Sequence, residues 1–147
     1  MSKKKKVVVR DEGPSVKRTR QASNPYSYDA QAPCWRFGKR KEGNHKWSIS
    51  QENWSVWENE ILPKLVDFES MTWNEIKNGP NSHNVSVGRI IKEAQDDLTA
   101  NKLIYDEVFS LRLTGKKRIW GFLENGVLNI IWYDAEHEIC PSLKKHT

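Results

Sequence analysis

Three side chains in the last third of the chain, Arg112, Arg118 and His137, are of the types that phosphate chemistry needs. Cleaving an RNA backbone by attack of its own 2′-hydroxyl takes three things. A base receives the hydroxyl proton, an acid protonates the departing 5′-oxygen, and cations match the charge growing on phosphorus. Histidine has an ordinary pKa suited to either proton transfer. Arginine presents a planar fork that holds two phosphate oxygens at once. His137 could serve as acid or base, and Arg118 and Arg112 could clamp a phosphate. Lys116 and Lys117 would hold flanking phosphates, while Tyr133 would stack on a base or donate a proton. Glu107 and Glu136 are further candidate bases. The competing reading is plain: an open sheet face carries Arg and Lys simply because it is solvated, and a His in Asp-Ala-Glu-His-Glu is then only a loop residue. His83, in Ser82-His83-Asn84, could join such a site, but reads first as a loop-capping side chain.

The stretch Glu107 to Ser142 must position these groups. Phe109, Leu111 and Leu113 alternate with Val108, Ser110 and Arg112. Ile119 alternates with Arg118, Trp120 and Phe122. Leu128, Ile130 and Trp132 alternate with Val127, Asn129, Ile131 and Tyr133. Side chains two apart share a face of a strand, so period two predicts three strands. Thr114-Gly115-Lys116 supplies the first turn. Asn125-Gly126 supplies the second, since a type I′ turn needs positive φ at both central residues. The prediction is an antiparallel meander, with Arg112 and Arg118 on one face if the first turn sets that register.

Upstream, Cys34 to Phe37 and Lys46 to Ile49 read as short strands, with Trp35, Phe37, Trp47 and Ile49 as core residues. Gln51 to Glu69 has a helical stripe of Trp54, Trp57, Ile61, Leu65 and Phe68. Ser48 and Gln51 are a candidate capping box, and Pro63 predicts a kink near Leu62. Thr72 and Glu75 form a second capping box, opening a turn through Ile76. Asn81 to Asn84 reads as a polar loop. Ser86 would cap a helix from Val87 to about Asn101, with Val87, Ile90, Ile91, Ala94 and Leu98 inward and Asp96 and Asp97 outward. The expectation is an α+β domain over 33–147: N-terminal strands, two to three helices, then the meander, with the helices on one face of the sheet.

The chain has 147 residues, and its charge is unevenly spread. Met1 to Lys46 holds 13 Lys and Arg against 4 Asp and Glu, whereas the remainder holds 11 against 15. Residues 1–32 are polar, rich in basic residues and poor in large aliphatic ones, which predicts a disordered basic tail. Lys3 to Lys6 and Lys17 to Arg20 are its candidate polyanion contacts. Two distant cysteines, Cys34 and Cys140, with no secretory signal, read as reduced thiols in a cytoplasmic protein. No apolar run approaches the ~20 residues that span a membrane. Without Cys-x-x-Cys, and with Asp134, Glu136, His137 and Glu138 lacking ligand-pair spacing, no metal or other cofactor is expected.

In order and spacing the chain resembles the RelE/YoeB-like toxins, from about Trp47 to His137. The matching residues are Leu111-Arg112-Leu113, Lys117 to Phe122, Asn125 to Trp132, and His137. Asn101 to Glu107 stands where that family has a glycine-containing loop, and His137 follows Asp134-Ala135-Glu136 where the family has its residue on the strand. The resemblance implies a metal-independent endoribonuclease acting on mRNA, free or at the ribosome, with Arg118, His137 and Arg112 catalytic and an antitoxin protein as partner. The ending, from Arg118-Ile119-Trp120-Gly121 to Ser142, is also similar to small bacterial mobile-element proteins. The alternative reading is a non-catalytic module that binds nucleic acid, the ribosome or another protein.

Overall fold

The computed structural model describes residues 27–41 and 45–141. Most of the expected basic tail, including Lys3 to Lys6 and Lys17 to Arg20, lies outside the described residues. Strands β1 (Cys34–Arg36), β2 (His83–Ser86), β3 (Glu107–Thr114), β4 (Lys117–Glu124) and β5 (Val127–Asp134) form one sheet in the order β1-β5-β4-β3-β2. β1 runs parallel to β5, and the other pairs are antiparallel. The protein is α+β, and its sheet is five-stranded and mixed: the predicted meander is the centre, with a short strand added at each edge. The second addition is β2, in the segment expected as a polar loop. The Asn125-Gly126 turn has φ of 51° and 83°, the pair of positive values a type I′ turn requires.

The helical segments are α1 (Trp54–Val56), a wide π turn (Trp57–Ile61), α2 (Leu62–Phe68), α3 (Trp73–Asn78) and α4 (Lys92–Ala100). They do not lie on one face. Ile61, Leu65, Trp73 and Ile76 pack on Phe109, Leu111, Ile119, Leu128 and Ile130. Trp47, Ile90, Ala94 and Leu98 pack with Val108, Trp120, Phe122 and Trp132 on the other side. The reason is visible in β5, where every residue from Leu128 to Asp134 is buried. A strand covered on both faces is apolar almost continuously, as strands inside layered α/β sheets are.

A bulge on β5 decides which face each residue takes. Trp120 pairs with Trp132, but Gly121 pairs with Ile130, so Ile131 is an extra residue. Leu128 and Ile130 therefore face the α2 and α3 side, while Trp132 faces α4. Simple alternation places all three together. The bulge also brings the two backbones close at Gly121: a Cβ there would lie 2.3 Å from the Asn129 carbonyl oxygen. Gly121→Ala is expected to destabilise the fold by ~1–3 kcal/mol, the range for overpacking a tight site. An unchanged denaturation midpoint would mean that β4 and β5 run further apart than this.

Several local expectations shift. Lys46 to Ile49 is not a strand; 3₁₀ turns at His45–Trp47 and Ile49–Gln51 replace it, although Trp47 and Ile49 are buried. The Ser48–Gln51 box does not form, because the Ser48 hydroxyl meets that of Ser50 at 3.1 Å. The cap is Asn53, whose Oδ1 accepts the Val56 N–H at 3.0 Å. Helical structure runs through Pro63, which falls just inside α2 after the π turn. Proline is tolerated in a first helical turn, where its missing N–H is not needed. Ser86 ends β2 and caps nothing; Val87–Arg89 is one 3₁₀ turn, and the true helix starts at Lys92.

The Thr72–Glu75 capping box forms in both directions. Beside it the Trp73 and Asn74 N–H groups donate to the Gln31 and Asp29 carbonyls at 2.9 and 2.8 Å. Residues 27–32, grouped with the tail by composition, thus satisfy the open donors of the α3 N-terminus. No helix among the described residues is long and apolar enough to cross a membrane.

Candidate functional site

The two arginines meet because of the first hairpin. Arg112 on β3 stands directly opposite Arg118 on β4, and Arg118 stands opposite Asp134 on β5. Like charges across a strand pair are unfavourable unless something offsets them. Part of the offset is a shared acceptor, the Gly115 carbonyl, which receives Arg112 Nε at 3.1 Å and Arg118 Nη1 at 2.7 Å. Gly115 sits at φ 53°, in the left-handed region, so the turn aims its carbonyl back at both side chains. Neither arginine makes a carboxylate salt bridge among the described residues. Burial, and then the Arg112 charge, push Arg118 below the usual guanidinium range, while Asp134 opposes them.

Asp134 builds the loop that carries His137. Its carboxylate is fully buried and accepts the Glu138 and Ile139 N–H groups, each at 3.0 Å, and the Trp120 indole N–H at 3.4 Å. Drawn around this carboxylate, the chain puts His137 in the left-handed region at φ 57°. Histidine is one of the few side chains that enters this region at modest cost. His137 then lines a cleft of about 300 Å³ together with Arg118, His83, Ser110 and Arg89. Burial, and then the Arg118 charge, hold the His137 imidazole below the ordinary histidine range, against the opposing pull of Asp134. His137 is therefore neutral near pH 7, the form that accepts a proton.

Of the residues singled out in the sequence, Arg118, Arg112 and His137 come together at this end of the sheet. Arg112 reaches the cleft's flank, lining an adjoining hollow with Asn81 and Pro80, which also border the cleft. Lys116 is exposed beside them and pairs with Glu136 at 2.7 Å. That lysine holds Glu136 below the usual carboxylate range, which makes it a poor base. Glu107 begins β3 opposite Ser86, outside the cleft.

Lys117 and Tyr133 lie on the other face. Lys117 pairs with Glu60 of the π turn, and the Tyr133 hydroxyl donates to the same carboxylate at 3.2 Å. Tyr133 is buried in the α2 and α3 core and cannot stack on a base from there. Burial, and then Glu60, push its hydroxyl far above the ordinary tyrosine range, so it stays protonated.

His83 is the group that sequence reasoning undervalued. It sits on β2 opposite Ser110, and so faces the cleft from the edge strand. Only Val85 is buried in His-Asn-Val-Ser, too little apolar content to reveal a strand. Cys34 and Cys140 are free thiols, and Cys140 also borders the cleft. No cluster of three metal-ligating side chains occurs among the described residues. No protein-family model matches the chain, and neither a curated protein nor a solved structure is detectably similar to it.

Proposed function

We propose that the cleft binds RNA and breaks its backbone without a metal, as a RelE/YoeB-like endoribonuclease toxin acting on mRNA would. The observation that carries this reading is the pairing of Arg112 with Arg118, without a carboxylate salt bridge among the described residues, beside a cleft lined by two histidines. Two guanidiniums forced side by side are most stable with an anion between them.

On this reading neutral His137 takes the proton from the 2′-hydroxyl as its oxygen attacks phosphorus. His83, across the cleft, acts as the acid that gives a proton to the 5′-oxygen as the P–O bond breaks. The products are a 2′,3′-cyclic phosphate and a free 5′-hydroxyl. Arg118 and Arg112 hold the phosphate and match the charge that develops on its oxygens, an interaction strongest in the transition state. Lys116 would meet a flanking phosphate. An antitoxin partner and substrate held on the ribosome belong to the same proposal.

The test is cleavage of free and ribosome-bound message by purified protein in the presence of a chelator. Wild type should cleave, and His137→Gln or Arg118→Ala, both folded, should lose ~10²–10⁴-fold in rate. Because the active form of this base is neutral His137 and its pKa is depressed, the acid limb of the rate should lie below the ordinary histidine value of 6.5. In Arg118→Ala the depression is partly relieved, so the acid limb of the residual activity should move to higher pH. Salt-sensitive RNA binding without cleavage, unaffected by His137→Gln, would replace the nuclease with the binding module.

A further inference from the structure

A second hollow, of about 330 Å³, opens at the β5 edge of the sheet and shares no lining residue with the arginine–histidine cleft. β1 pairs only with Val127, Leu128 and Asn129, so from Ile130 onward this edge of β5 has no neighbouring strand. Two departures from regular backbone meet there. The π turn begins at Trp57, and the β5 bulge falls at Ile131; both residues line the hollow. Each departure gives up regular hydrogen bonding, and each is found disproportionately beside functional sites.

The lining has a definite chemistry. Ile49, Ile130 and Ile131 give an apolar floor. Trp57 and Phe37 give aromatic walls, edge to face with centroids 5.9 Å apart. Phe37 is 43% exposed, a large aromatic that the core does not explain. The Ser48 and Ser50 hydroxyls lie 3.1 Å apart, and either can donate. Arg40 also reaches the hollow, but Asp97 holds its guanidinium with two hydrogen bonds of 2.7 and 3.1 Å. Its charge is thus balanced, and the site favours a neutral guest. The volume lies at the bottom of the ~300–1,000 Å³ range of small-molecule pockets, which suits one ring system.

We propose that this hollow binds an uncharged planar heteroaromatic ring of the nucleobase kind. Its faces lie against Trp57 and the isoleucines, and its polar edge bonds to the Ser48–Ser50 pair. The proposal does not depend on the nuclease reading. The experiment is a titration of the full chain with adenine, uracil and indole, followed by two-dimensional amide and indole NMR. Indole matches the ring size but lacks the acceptor edge. Adenine or uracil should shift the Trp57 indole and Ser50 amide signals saturably, and indole should bind at least several-fold more weakly. Ser50→Ala, at an exposed position that leaves the fold intact, should weaken the nucleobase roughly two- to tenfold, the effect of one hydrogen bond, and leave indole unchanged. The proposal is overturned if neither base binds saturably, if indole binds as well as the bases, if Ser50→Ala changes nothing, or if the shifts centre on Arg118 and His137.

Discussion

Trp132→Ala is expected to destabilise the protein by ~3–5 kcal/mol, at the top of the range for single core substitutions. Trp132 is fully buried in the α4-side core. Its ring meets Trp47 edge to face with centroids 5.7 Å apart, and it stands across β4–β5 from Trp120. The indole N–H donates to Asp97 Oδ2 at 2.7 Å. Alanine would therefore remove packing against both tryptophans and a hydrogen bond to a carboxylate. Trp132→Phe separates the two contributions: it keeps most of the ring contact, and its cost should reflect mainly the lost charged hydrogen bond, ~1.5–3 kcal/mol. The measurement is the urea midpoint of each variant at constant slope. If Trp132→Ala unfolds where wild type does, the bulge that turns Trp132 toward α4 is not part of the molecule.

The meander could be read from the sequence because its signals are local. Alternation over Phe109 to Leu113 and the Asn125-Gly126 dipeptide act within a few residues, and nothing elsewhere in the chain overrides them. The bulge at Ile131 could not be read, since it is a relation between two strands. Its one trace is Gly121, an isolated glycine in an otherwise apolar strand, lying where the Asn129 carbonyl comes too close for any Cβ. The site was half legible for a similar reason. Arg112 and Arg118 flank a short turn, so their opposition followed from the hairpin register. The arrival of His137 depends on Asp134, which reads in sequence as one more acid of a charged loop but is buried and holds two backbone N–H groups. Sequence alone groups Tyr133 and Lys117 with the cleft, because alternation within one strand does not reveal which core each face meets. Glu60, more than fifty residues upstream, ties both to the opposite side.

Asp97→Ala should match the tryptophan variant in size, ~3–5 kcal/mol, although the sequence gives Asp97 the look of a solvated residue beside Asp96. By spacing it is three residues beyond Ala94 and next to Leu98, on the stripe that α4 turns to the sheet. The structure buries it, with 4% of its surface exposed, facing an Arg40 whose side chain is 8% exposed. Besides Arg40, its carboxylate receives the Trp132 indole. Removing the acid leaves a guanidinium largely out of water without its counter-charge, and the cost of that desolvation is what makes breaking a buried pair expensive. Replacing both partners is a different matter. Asp97→Leu combined with Arg40→Met removes both charges, and that double variant should be markedly more stable than Asp97→Leu alone. Asp97→Asn should fall between alanine and wild type, since its amide oxygen can still accept from Trp132. A purely additive double variant, with Arg40→Met and Asp97→Leu each costing the same whether or not the other is present, would show that the pair does not hold the 37–41 segment against α4.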